Sequence, residues 1–202
     1  MIHILGKIPR TVAVAVSGGI DSMAVLDFLR RGKRDITVLH YNHSTPFAGA
    51  AEGLVREYCR TYALPLLTEK NEAEAPSGAS MENFWRKQRY SFFAKVNLPI
   101  ITCHHLDDAV ESWVFTSMHG NPFLIPHKRD NFIRPFLITE KSELSYWAIT
   151  KNVPYISDPS NNETKYQRNY IRHKMMPHVL RINPGIKKTI KKKYLNLETQ
   201  NA

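Results

Sequence analysis

At 202 residues and 43% hydrophobic content, the chain is long enough for one sizeable core and a small appendage. No apolar run approaches the ~18 residues that cross a membrane. The apolar part of MIHILGKIPR is too short for a signal peptide. Cys59 and Cys103 form neither a disulfide framework nor a C-x-x-C pair, which points to a reducing, cytoplasmic setting. The formal charge of +10 is concentrated in part at Lys187, Lys188, Lys191, Lys192 and Lys193, and favours a polyanionic partner.

In chain order, Val12 to Val16 is a β-branched run that reads as a buried strand. It stops at Ser17-Gly18-Gly19, where the chain must turn tightly. A helix then begins at Asp21, with Met23, Val25, Leu26 and Leu29 on its apolar face. Strand, glycine turn and helix start make an anion site. Free N–H groups point at the ligand and the helix dipole favours negative charge. Ser17 and Ser22 add hydroxyls. Asp21 would repel a phosphate unless a cation sat between them, which makes it a candidate Mg²⁺ ligand.

Asp35 to Tyr41 reads as a second strand. A helical pattern through Ala51, Leu54, Val55, Tyr58 and Tyr62 follows, then a short apolar run, Leu64 to Leu67. Glu69 to Ser80 reads as a loop and Met81 to Ala94 as a helix. Leu98 to Cys103 reads as a buried strand and Leu106 to Met118 as a helix. Strands alternating with helices predict an α/β fold with a parallel twisted sheet of about five strands, covered on both faces. Ligands of such sheets sit at the carboxyl ends of the strands. Gly120 to Arg134 is irregular. Thr139 is placed to cap a helix running to about Lys151. Ser157 to Asn162 is a turn cluster, and Gln167 to Leu180 a basic helix. Pro184-Gly185 ends the folded part, leaving a tail expected to be mobile without RNA. This divides the chain into a core over 1–125, a helical extension over 126–182 and a basic tail over 183–202.

Three further clusters carry chemistry. In His104-His105-Leu106-Asp107-Asp108-Ala109-Val110-Glu111, Asp108 and Glu111 are three apart and share a helix face. That acidic notch suits a cation, either Mg²⁺ or the ammonium of an amine. Glu82, Arg86 and Arg89 recur at helical spacing, either as a salt-bridged surface or as planar forks for phosphate. Asp158-Pro159-Ser160-Asn161 precedes Arg168-Asn169-Tyr170-Ile171-Arg172-His173. Arg168 and Arg172, four apart, repel each other unless an anion lies between them.

The glycine loop resembles the pyrophosphate loop, S-G-G-x-D-S, of the N-type ATP pyrophosphatases; no Walker loop is present. All the blocks in this order resemble the tRNA(Ile)-lysidine synthetase family, over about Thr11 to Gly185. They are S-G-G-I-D-S, E-x-x-x-R-x-x-R-Y, H-H-L-D-D-x-x-E-S, and D-P-S-N with R-N-x-I-R-H, M-P-x-x-L and N-P. The resemblance implies an adenine nucleotide alpha hydrolase-like fold and a ligase that forms a carbon–nitrogen bond. Such an enzyme adenylates O2 of the wobble cytidine in a CAU-anticodon isoleucine tRNA, and the ε-amine of free lysine then attacks C2 as AMP leaves.

Ser17, Gly18, Gly19, Ile20, Asp21 and Ser22 would hold ATP's pyrophosphate and Mg²⁺, with Asp21 the metal ligand. Tyr41, Asn42 and His43 match the turn around adenine, and His104 or His105 would orient the site. Asp108 and Glu111 would hold lysine. Arg86, Arg89, Arg168 and Arg172 would position nucleotide and RNA phosphates, and Lys187, Lys188, Lys191 and Lys192 would contact RNA. Asp21, Asp108, Glu111, Arg86 and Arg168 are the catalytic candidates. The chain departs from the family at Met118-His119-Gly120-Asn121-Pro122, where a glycine-rich stretch is usual, and it would be a short form without the further C-terminal domains. The rivals are a tRNA thiolase of the same superfamily, whose iron–sulfur cysteine pairs are missing, amide-forming synthetases on small metabolites, and a non-catalytic tRNA-binding remnant.

Overall fold

The structure, a computed structural model, describes residues 1–78, 80–157 and 167–200. The chain packs as two compact units that interleave along the sequence. Of the described residues, one comprises Pro9–Thr102 and Trp147–Ser157; the other comprises Met1–Ile8, Cys103–Tyr146 and residues 167–200. The chain changes unit after the fourth strand, and Trp147–Ser157 returns to the first unit.

The first unit holds β1 (Thr11–Ala15), α1 (Ile20–Arg31), β2 (Asp35–Asn42), α2 (Ala48–Thr61), β3 (Leu66–Lys70), α3 (Met81–Phe93) and β4 (Ile100–Ile101). Its strands run parallel in the order β3-β2-β1-β4. Val12, Ala13 and Val14 are all fully buried. Successive strand residues point to opposite faces, so both faces of β1 are covered. Met23, Val25, Leu26 and Leu29 of α1 join that core. Leu98 to Cys103 yields only two strand residues, Ile100 and Ile101, which pair with Ala13 and Val14. The third strand begins later than the apolar run suggested, because Leu66 is the residue set opposite Val38.

Asp27 knots this unit together. Its carboxylate is 1% exposed and accepts from Arg30 Nη2 at 2.6 Å, Arg31 Nε at 2.7 Å, Tyr58 Oη at 2.8 Å and Trp147 Nε1 at 3.0 Å. Burial alone would raise its pKa; the donors from Arg30, Tyr58, Arg31 and Trp147 hold it below the usual carboxylate value.

The second unit is mainly helical. It contains α4 (Leu106–Met118) and a short antiparallel pair, β5 (Lys128–Arg129) with β6 (Phe132–Ile133). The start of α5 (Lys141–Thr150) follows, then α6 (Gln167–Tyr170), a π-helical turn at Ile171–Met175, α7 (Met176–Ile182) and α8 (Ile186–Gln200). The stretch expected to be irregular thus contains a small hairpin. The expected basic helix is one continuous run widened by a π turn.

Two expectations fail here. Thr139 does not cap α5: its hydroxyl bonds the backbone of His3, and the Glu140 N–H is met by Glu143 instead. The basic tail is not a loose segment. Ile186, Ile190 and Tyr194 of α8 recur every fourth residue and bury against a core that includes Leu106, Val110 and Val114 of α4. The Tyr194 hydroxyl also donates to the Ile125 carbonyl at 2.8 Å. The cluster Asp158 to Asn161 lies outside the described residues.

Candidate active site

The glycine loop belongs to the first unit. Val16 leaves β1 with its N–H on the Leu39 carbonyl at 2.8 Å, and its own carbonyl is paired with Nδ1 of buried His40 at 2.9 Å. Gly18 then takes φ +86°, a conformation that penalises any side chain. A Cβ there would lie 3.1 Å from the Ala51 Cβ and 3.3 Å from its Cα and carbonyl oxygen, so α2 closes the outer side of the turn. The Gly18 carbonyl accepts from the Ile156 N–H at 2.9 Å. That bond fixes the Gly18–Gly19 peptide plane, so the Gly19 N–H points the opposite way. Ser22 locks the turn: it donates to the Gly19 carbonyl at 2.9 Å, accepts from the Ser17 N–H at 3.2 Å and sits 3.1 Å from the Ser17 hydroxyl. Helix α1 starts immediately, with Asp21 in its first turn and no side-chain cap. The leading N–H groups of a helix have no partner within it. The Gly19 N–H itself donates to the Ser17 hydroxyl at 3.4 Å, and the result is a rigid cradle of backbone N–H groups at the start of α1, suited to a tetrahedral polyanion.

Around the exit of β2, Tyr41 and His43 meet edge to face at 5.0 Å, and His43 lies 5.8 Å from the Trp85 ring on α3. Burial first, then the charges of Arg89 and His40, push the His43 pKa down to about 4, so its imidazole is neutral at pH 7. The Asn42 side chain is committed inward: it donates to Glu52 at 2.7 Å and accepts from the Ser44 N–H at 2.8 Å. Glu52 in turn takes two bonds from Arg56. On α3, the Arg86 and Arg89 guanidinium carbons lie 5.1 and 6.0 Å from the Tyr90 ring centroid.

In the second unit, His105 caps α4. Its Nδ1 accepts from the Asp108 N–H at 3.4 Å, and Asp108 Oδ2 accepts from the His105 N–H at 3.0 Å. Asp108 and Glu111 are 6% and 7% exposed. Arg172 reaches both: Nε donates to Glu111 Oε1 at 2.8 Å, and Nη2 to Glu111 Oε2 at 2.9 Å and to Asp108 Oδ1 at 3.0 Å. Arg168 Nη2 donates to the same Asp108 Oδ1 at 2.7 Å. The anion between the two arginines is thus a carboxylate of the chain itself. Burial would raise the Asp108 pKa, but His105, Arg168 and His104 together with the His105 N–H hold it far below its ordinary value. Asp108 is a fixed negative charge.

Of the lysines, Lys187 faces inward, bonded to Asp107 at 2.6 Å and Glu140 at 3.0 Å. Lys188, Lys192 and Lys193 are exposed and Lys191 half-buried. Sequence reasoning missed Asp27, Glu52 and the capping role of His105. Only the last had a local signal, in the His-x-x-Asp spacing of a capping box.

A parallel sheet whose first strand feeds a glycine-rich donor cradle and a helix start defines an adenine-nucleotide-binding α/β protein of the pyrophosphate-loop kind. The chain belongs to the PP-loop domain family, whose model matches residues 3–179. Among curated relatives, a tRNA(Ile)-lysidine synthase of Thermotoga sp. (strain RQ2) is 35% identical over 198 residues, covering 89% of this chain and 47% of the relative. Another from Lactiplantibacillus plantarum is 30% identical, covering 90% of this chain and 44% of the relative. The chain therefore spans about half the length of the curated relatives it matches. Among solved structures, NH3-dependent NAD synthetase from Campylobacter jejuni superposes with a TM-score of 0.52 at 16% identity, covering 96% of this chain and 86% of that one. At that identity the likeness shows the fold alone. Among the described residues, no helix is long and apolar enough to cross a membrane.

Proposed function

We propose that this chain performs the ATP-dependent ligation of lysine to C2 of the wobble cytidine of a CAU-anticodon isoleucine tRNA. The observation that carries the reading is the donor cradle at Ser17–Ser22, in a chain similar to tRNA(Ile)-lysidine synthases over most of its length. A cradle without a Walker lysine suits a pyrophosphate that departs, rather than a terminal phosphoryl group that is transferred.

In the first step, O2 of the cytidine bonds to the α-phosphorus of ATP and the α–β bridging bond breaks, releasing pyrophosphate. The backbone N–H groups of the first turn of α1 take up the charge that develops there, and the Ser17 and Ser22 hydroxyls, bonded to each other and to Gly19, hold the turn in shape. Mg²⁺ fits this site in one way. Among the described residues no group of three or more acidic, histidine or cysteine side chains could hold a metal. Mg²⁺ is commonly bound by one carboxylate plus substrate phosphates and water, and Asp21 would be that carboxylate. When bound, the ion neutralises phosphate charge. Neutral His43, with Tyr41, supplies an aromatic, uncharged wall for adenine; Asn42 acts by shaping the turn.

In the second step, the lysine Nζ lone pair bonds to C2, the C2–O bond breaks, AMP leaves and the nitrogen loses its proton. Asp108 and Glu111 hold the ammonium before that loss. A carboxylate held as low as Asp108 is a poor proton acceptor, so its role is to fix the cation. Arg86 and Arg89 neutralise nucleotide and RNA phosphates, while Arg168 and Arg172 compensate the buried carboxylates. Exposed Lys188 and Lys192, with half-buried Lys191, meet RNA phosphates, and reaching the pocket requires the cytidine to leave its stack.

The test uses intact protein, ATP, Mg²⁺, radiolabelled lysine and a CAU-anticodon transcript. Label enters the RNA, and Asp21→Asn abolishes it. Transfer of AMP to RNA with no lysine incorporation moves the assignment to another modification of the same class.

A further inference from the structure

Every carboxylate oxygen of the acidic pair already meets a donor from the protein. Arg172 takes both oxygens of Glu111. The His105 N–H takes Oδ2 of Asp108, and Oδ1 is shared by Arg168 and Arg172. The two carboxylates also already face two guanidinium groups. Bringing in an ammonium would leave a net positive charge among groups that are 6% and 7% exposed, which is costly away from water. One guanidinium must therefore leave when a cationic ligand arrives.

The two arginines are unequally held. Arg172 makes three charge-assisted bonds and its side chain is 25% exposed. Arg168 makes one of them, from a four-residue helix, and its side chain is 48% exposed. Arg168 can swing into water with the loss of a single bond.

From this juxtaposition we infer that Arg168 is a built-in occupant of the amine seat at Asp108, and that an amino-acid ligand binds by displacing it while Arg172 stays. This rests on the proposed role of Asp108 and Glu111 as the lysine-holding pair. It makes Arg168 a self-inhibitory contact in the empty protein. The freed guanidinium becomes available to a phosphate only once the amine is seated. The buried pair is thereby never left uncompensated.

The test is calorimetric titration of free lysine into the intact protein. Arg168→Gln tightens binding about fivefold, the worth of one half-exposed charge-assisted bond. Lys174→Gln removes an equal charge from the same helical run without touching Asp108, and changes affinity less than about twofold. Asp108→Asn abolishes binding. Should Arg168→Gln bind lysine no tighter than the unaltered protein, or Lys174→Gln tighten it equally, the displacement idea is wrong while the lysine-holding pair stands. Lysine binding that survives Asp108→Asn, or is missing from both the unaltered protein and Arg168→Gln, overturns the pair itself. A second readout needs no variant. NMR shows hindered rotation of the Arg168 guanidinium in the free protein and fast rotation once lysine is bound; hindered rotation in both states refutes displacement.

Discussion

Replacing Gly18 by alanine is the sharpest probe of the loop. At φ +86° an L-residue is strained by ~1–2 kcal/mol. The new Cβ would meet the Ala51 Cβ at 3.1 Å and its backbone at 3.3 Å, atoms with no flexible end to yield. Overpacking of that sort costs a further ~1–3 kcal/mol. The sum, about 2–5 kcal/mol, predicts a melting temperature lower by about 10 °C in a chain of this length. Gly19 is the internal control. It has φ −76° and ψ 160°, ordinary extended backbone, and a Cβ there would meet only the Ser17 hydroxyl at 3.5 Å. Gly19→Ala should therefore melt within a few degrees of the parent. The assay is thermal and urea unfolding of the three proteins, with ATP affinity measured alongside. Equal stability of Gly18→Ala and Gly19→Ala would refute the claim that α2 and the left-handed turn together set the cradle.

The remaining predictions concern charges whose partners are on the page. Asp27→Asn lowers stability by about 2 kcal/mol, because two arginines lose their buried counter-charge. The folded pKa of Asp27 is depressed, so its contribution is complete above the unfolded value of about 4 and is lost as pH falls through the lower folded value. An acid unfolding limb unchanged in Asp27→Asn would contradict this. Lys187→Gln loosens α8 and costs about 1 kcal/mol. Its folded pKa is raised, so that contribution is complete at pH values below about 10 and is lost only as pH climbs through the folded value. Lys188→Gln with Lys192→Gln leaves the melting temperature in place but weakens RNA binding and flattens its salt dependence by about two charges; an unchanged salt slope would remove those lysines from the interface. His43 shows one neutral imidazole from pH 6 to 8 by NMR, and Arg89→Met raises its pKa; a midpoint near 6.5 in the parent would contradict the burial argument.

What could be read in advance was local. The unbroken valine run, Ser17-Gly18-Gly19 and the apolar spacing after Asp21 specify β1, the turn and α1 without help from the rest of the chain. Helix α4, Leu106–Met118, has the bounds its periodicity implied, because a capping residue and an uninterrupted apolar face mark both ends. What could not be read depended on partners distant in sequence. Asp27 sits near the C-terminal end of α1, where the dipole disfavours a carboxylate; Tyr58 and Trp147 make the position favourable, and only the fold brings them there. Arg168 and Arg172 looked like a phosphate clamp, because their spacing says nothing of Asp108, sixty residues earlier in the chain. Helix α8 was legible and overlooked. Ile186, Ile190 and Tyr194 mark a buried stripe, but the lysines between them dominate the local composition.

The central claim is that the Ser17–Ser22 cradle receives a departing pyrophosphate. It is tested most directly by identifying the products of ATP labelled separately at the α- and γ-positions, with lysine and the CAU-anticodon transcript present. The account predicts labelled AMP and labelled pyrophosphate, formed only with RNA and lost in Asp21→Asn. Labelled ADP and inorganic phosphate would contradict it.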